Sequence, residues 1–115
     1  MKFFGHMFPE VKNSATLPWV PGPYPGVELC VLHRDAATGG VTVLRKFKAG
    51  VTVPAHVHPL ADELVYVLSG TWVEDGVSHG PGTVFRSPKG VQHGPHYAPD
   101  EVISLTIFNG PLTVA

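Results

Sequence analysis

The chain has 115 residues, enough for one domain around one core. Its formal net charge is −1 and charged residues make up 15%, which leaves no electrostatic footprint for nucleic acid or an anionic membrane. A single cysteine, Cys30, excludes an intrachain disulfide, and no apolar run reaches the ~18 residues that a membrane-spanning helix needs. "MKFFGHMF" is too short for the apolar region of a signal peptide, so a soluble, cytoplasmic protein is expected.

Residues 1–26 differ from the rest. Pro18, Pro21, Pro23 and Pro25 forbid a helix or a central strand, which leaves an extended Pro-rich arm. Its aromatics, Phe3, Phe4, Phe8, Trp19 and Tyr24, need cover. The arm is expected to lie across the domain or a neighbouring subunit, with a lid over a cavity as the alternative. From residue 27 to 115 the pattern is one of short strands. "VELCVLHRD" is the first, turned by Thr38-Gly39-Gly40; "VTVLRKFKAG" is the next, with Val41, Val43 and Arg45 alternating against Thr42, Leu44 and Lys46. "VTVPAHVH" is a short strand broken at Pro54. "ELVYVLSG" is apolar on both faces and is expected in mid-sheet, covered on both sides. "TWVEDGVSHG" is a hairpin turned by Asp75-Gly76. "GTVFRSPKG", "VQHGP" and "EVISLTIFNG" complete the set. No segment carries a long 3.6-residue period, so an all-β sandwich or barrel of jelly-roll type follows.

One stretch carries chemistry. In "AHVHPLADELVYVLSG", His56 and His58 stand two apart, so on a strand both imidazoles aim at one point. Glu63 faces the same point if its strand pairs antiparallel with theirs. Two neutral imidazoles and a carboxylate brought together would cost roughly several kcal/mol unless a cation lies between them. His93 follows the sharp turn from Pro88 to Gly90 and is the expected fourth ligand. Divalent transition metals accept such a mixed nitrogen and oxygen set.

These residues sit in a larger frame. Gly50, five residues, His56-x-His58, four residues, Glu63, six residues, Gly70 resembles the first motif of the cupins. Gly82, five residues, Pro88-x-Gly90, two residues, His93 resembles their second. The likeness covers Gly50 to His93 directly and extends over Val27 to Gly110. It departs at Tyr97, where cupins often carry asparagine. It implies a jelly-roll β-barrel with His56, His58, Glu63 and His93 as metal ligands, and a homodimer, since cupins commonly pair. "RSPKGVQHGPH" and "ELVYVLSGTW" are further similar to the anti-sigma-factor cupins of ChrR type and to acetylacetone-dioxygenase-like enzymes, which points to non-haem iron.

Four protein ligands leave open positions on an octahedral ion. A small molecule with two oxygens, a dicarbonyl or a phenolic ketone, can chelate there, and the ion acts on it as a Lewis acid. Iron(II) would favour oxidative cleavage of a carbon–carbon bond. Zinc(II) or nickel(II) would favour isomerase, cyclase or lyase chemistry, and manganese(II) or cobalt(II) also suit the ligand set. A sensor domain that holds a metal without catalysis is the third reading. Among other residues, Arg86 would hold an anionic substrate oxygen if it faces inward and is a solvated charge if outward. Tyr66 and Tyr97 are candidate donors to a bound carbonyl. His96 is a candidate to orient a ligand or line the mouth. Phe47, Val65, Val67, Trp72, Phe85 and Phe108 are candidate apolar walls, and His6, His33 and His79 read as ordinary surface histidines.

Overall fold

The structure, a computed structural model, describes residues 7–115; Phe3, Phe4 and His6 lie outside the described residues. Among the described residues the regular structure is ten strands and one short 3₁₀ turn, Ser14–Thr16. The strands are β1 (Val20–Pro21), β2 (Val27–Arg34), β3 (Val41–Phe47), β4 (Thr52–Val53), β5 (Glu63–Ser69), β6 (Trp72–Glu74), β7 (Val77–His79), β8 (Val84–Ser87), β9 (His96–Tyr97) and β10 (Val102–Phe108). They form two sheets, β1-β2-β3-β10-β5-β8 and β4-β9-β6-β7, and every pairing is antiparallel. This is a jelly-roll arrangement, and among the described residues no helix is long and apolar enough to cross a membrane.

Period-two alternation decides what lies between the sheets. Strand β3 buries Val41, Val43, Arg45 and Phe47 in succession, and β10 buries Val102, Ser104, Thr106 and Phe108. The six-stranded sheet adds Val65 and Val67, and the smaller sheet answers with Val53, Trp72 and Ala98. Phe47 meets the Trp72 ring edge-on at 5.1 Å, a favoured aromatic geometry. Ser104 and Thr106 are fully buried but share a hydrogen bond of 3.0 Å, which satisfies both hydroxyls at once.

Two expectations need correction. Strand β5 does lie inside its sheet, between β10 and β8, yet only one of its faces is covered. Glu63, Val65 and Val67 point inward, while Leu64, Tyr66 and Leu68 are 42%, 45% and 44% exposed. With Val84 of β8 and Ile107 of β10 they form an apolar patch on the outside of the molecule. In addition, β5 does not pair with the segment that carries His56 and His58; its partners are β10 and β8.

The arm is laid along the barrel. Val20 and Pro21 pair with Leu29 and Glu28 at the sheet edge, a place where proline's missing N–H removes no ladder bond. Lys46 Nζ sits 4.2 Å from the centre of the Trp19 ring. Further on, Pro23 and Tyr24 reach an internal cavity.

Candidate metal centre

His56 and His93 come from two loops clasped by a single β-bridge. Each backbone N–H donates to the other's carbonyl, at 2.9 Å and 3.0 Å. The turn at Pro88 to Gly90 closes with Val91 N donating to Pro88 O, and Gly90 N ties it back to His58 O at 3.0 Å. Glu63 arrives from the opposite side, at the start of β5. Its neighbour Asp62 pins the loops there: Lys89 N donates to Oδ1 at 2.8 Å, and Asn109 Nδ2 donates to Oδ2 at 2.9 Å.

The histidine tautomers follow from their outer partners. His56 Nδ1 donates to Pro54 O at 2.7 Å and His58 Nδ1 to Thr113 O at 2.9 Å. A carbonyl can only accept, so both Nδ1 atoms carry the proton and the neutral rings present an Nε2 lone pair inward. His93 Nδ1 is held by Ser87 Oγ at 2.9 Å, which turns its Nε2 inward as well. The ligand atoms of the three histidines lie within 4.8 Å of one another. Glu63 Oε1 lies 3.2 Å from both His58 Nε2 and His93 Nε2. Burial by itself would raise the Glu63 carboxyl. The Arg45 guanidinium outweighs it and holds the group well below the usual carboxylate range. Burial lowers His56 from its ordinary value, so it stays neutral. His58 Nε2 has no partner in hydrogen-bond geometry among the described residues although it is buried. The His56 and His58 lone pairs and a carboxylate oxygen thus converge in a largely buried site, an arrangement that repels itself until a cation enters. The residues present therefore fit a divalent metal ion, with the three imidazoles as the cluster and Glu63 at its side.

Beside this cluster is a small cavity of about 20 Å³, room for one water molecule. His56, His58, Arg45, His96, Phe47 and Tyr24 line it, with Leu112 from the C-terminal segment. His96 is 5% exposed. It stacks on Trp72 with ring centres 4.0 Å apart and meets Phe47 edge-on at 4.9 Å. Burial, with Arg45 second, lowers its pKa to about 3, so it is a neutral imidazole near pH 7.

The structure separates the other candidates. Arg86 is exposed and sits opposite Leu64 on the outward face, so it is a solvated charge. Tyr66 belongs to that same outer patch, and Tyr97 is 42% exposed on β9. None of the three lines the cavity. Alternation along β8 and β5 puts Ser87 and Glu63 inside and their neighbours outside. Of the proposed walls, Phe47 borders the cavity, and the remainder pack the core beyond it. His33 is exposed, and His79 rests edge-on against Phe85 at 5.0 Å.

Arg45 is the residue at this site that motif reading passes over. Its Nη2 lies 2.7 Å from Glu63 Oε2, and its side chain is 9% exposed. The signal was present, since Arg45 is the one charged residue in the inward row Val41, Val43, Arg45, Phe47. Tyr24 was noted for its need of cover; the structure brings its ring to 5.5 Å from that of His56.

Comparison with known proteins bears on the whole chain. A germin-like protein, 8-14, of Oryza sativa subsp. japonica is 29% identical, covering 86% of this chain and 48% of its own. The chain thus spans about half the length of that curated relative. An RmlC-like cupin from Ralstonia eutropha superposes with a TM-score of 0.75 at 20% identity, over 99% of this chain and 83% of that one. An acetylacetone dioxygenase from Acinetobacter johnsonii does so with a TM-score of 0.71 at 21% identity, over 90% and 75%. At these identities the superpositions establish the fold. The match to the ChrR cupin-like domain covers residues 9–113, and the chain belongs to that family.

Proposed function

We propose that the protein is a metal-dependent cupin enzyme, an iron(II) dioxygenase that cleaves a small dicarbonyl or phenolic ketone. The observation that carries this reading is the inward turn of three histidines, each fixed through Nδ1, with ligand atoms within 4.8 Å of one another. The fold shared with an acetylacetone dioxygenase supports the oxidative version. When bound, a divalent ion supplies Lewis acidity toward a chelating pair of oxygens and, as iron(II), a partner for dioxygen. The chain's own residues do the rest. His56, His58 and His93 hold the ion, with Glu63 as the fourth ligand. Tyr24, Phe47 and Leu112 exclude water and favour a small, largely apolar substrate. His96, neutral and clamped between aromatic rings, presents a ring nitrogen as hydrogen-bond partner to a substrate oxygen.

The test is metal analysis of protein purified without oxygen, followed by oxygen uptake after iron(II) reconstitution with a panel of small diketones. Substrate-dependent uptake is expected. Turnover of the panel without oxygen would favour the isomerase, cyclase or lyase reading. Full metal loading with no turnover would favour the sensor reading that the ChrR likeness supports. The outer patch of Leu64, Tyr66, Leu68, Val84 and Ile107 is the contact we propose for a homodimer.

A further inference from the structure

We infer that Arg45 is a positioning residue for the metal centre: it holds one oxygen of Glu63, so that the carboxylate offers a metal ion only the other. The inference rests on the metal site proposed above and deepens it, by fixing how its carboxylate binds.

Three observations carry it. First, the two oxygens of Glu63 are divided between different neighbours. Oε2 lies 2.7 Å from Arg45 Nη2, and Oε1 lies 3.2 Å from both His58 Nε2 and His93 Nε2. Ligand atoms about 2.1 Å from a shared ion lie roughly 3.0 to 3.4 Å from one another. Oε1 is therefore spaced from the two histidines as a fellow ligand would be, while Oε2 is engaged elsewhere. Second, Arg45 has no other place for its charge. Its side chain is 9% exposed, and among the described residues Glu63 is the only carboxylate within ion-pair distance of it. Neither Nη2 nor Nε has an acceptor in hydrogen-bond geometry among those residues, so charge holds the pair. Turning Oε2 onto a metal ion would leave a buried guanidinium with no anion beside it, which is costly. Third, packing fixes the guanidinium. Arg45 belongs to the inward row of β3, and Ser104 stands opposite it on β10. That small side chain lets the arginine reach across β10 toward β5, where Glu63 begins the strand. The rings of Phe47, Trp72 and Phe108 then lie 5.0 to 5.8 Å from the guanidinium carbon. Close packing of this kind leaves it little freedom to follow a carboxylate that turns away.

The experiment needs no turnover. The probe is cadmium(II), an ion large enough to take both oxygens of an unrestrained carboxylate. Infrared difference spectra, cadmium-loaded minus metal-free, report the separation between the antisymmetric and symmetric carboxylate stretches, which is wide for one-oxygen binding and narrow for two. Wild type is expected to show the wide separation, through a band pair that Glu63→Gln removes. Arg45→Met should shift the same pair to the narrow separation. An arginine with a merely structural role would alter stability or metal content and leave the separation where it was. A narrow separation in wild type, an unshifted one in Arg45→Met, or a band pair that survives Glu63→Gln would overturn the inference. Should Arg45→Met fail to fold, a crystal structure of cadmium-loaded wild type decides: Oε2 still beside Arg45 upholds the inference, and both oxygens on the ion overturn it. Failure of wild type to take up cadmium overturns the metal site itself, whereas uptake with two-oxygen binding overturns only the role of Arg45.

Discussion

Each histidine of the proposed metal site is a two-ended device. One ring nitrogen is committed to an oxygen of the scaffold, and the other is thereby aimed. His58→Ala or His93→Ala should therefore reduce metal content per chain to a small fraction of wild type, read by elemental analysis, while His79→Ala leaves it unchanged. His96 lends itself to a different measurement. Its folded value of about 3 lies below the ordinary 6.5, through burial and then through Arg45. As pH falls below 6.5 the unfolded chain gains a proton that the folded chain refuses until near 3, so stability drops with falling pH across that window. At about pH 5 one such group costs roughly 2 kcal/mol. Urea midpoints of metal-free His96→Gln should fall less between neutral pH and pH 5 than those of wild type; parallel curves would contradict this. The histidines and Glu63 were legible in sequence because their spacing is local and their turn residues stand in register. Arg45 was not, because a lone arginine in a strand is read as solvated until its cross-strand neighbours are known. Here those neighbours are Leu29 and Ser104, and the row it shares with Phe47 is the buried one.

Strands and turns show where local pattern suffices and where it does not. The Asp75-Gly76 hairpin was readable because both residues adopt the positive φ such a turn demands, 51° and 70°. Gly70 is the stricter case. It has φ +81, and a Cβ there would stand 2.1 Å from Glu101 O. Gly70→Ala should cost more than ~1 kcal/mol and lower the melting temperature measurably, while Gly80→Ala, where a Cβ meets nothing within 4 Å, should not. The composition of β5 misled for a physical reason. Apolar residues on both faces of a strand signal cover on both faces, but not whether the cover comes from the same chain. Inside this chain only Val65 and Val67 receive it. If a second copy supplies the rest, Leu68→Lys and Ile107→Lys should convert a dimer to a monomer by light scattering, with circular dichroism unaltered. A monomeric wild type would end that proposal.

At the scale of the whole molecule, the centre is assembled from parts far apart in the chain. The six-stranded sheet contributes Glu63 and Arg45, the bridged loops contribute His56 and His93, and Thr113, near the far end, fixes His58. The fold class was open to prediction from turn spacing alone, because it depends on pattern repeated along the whole chain. The cavity was not, because Tyr24 and Leu112 meet there only through the closure of the barrel. That closure has a kinetic consequence. With space for a single water molecule beside the histidines, a ligand's arrival must wait for Tyr24 or Leu112 to swing aside. Its association rate should then level off at high ligand concentration, at a ceiling set by the protein's own opening frequency, and a smaller side chain in place of Tyr24 should lift that ceiling.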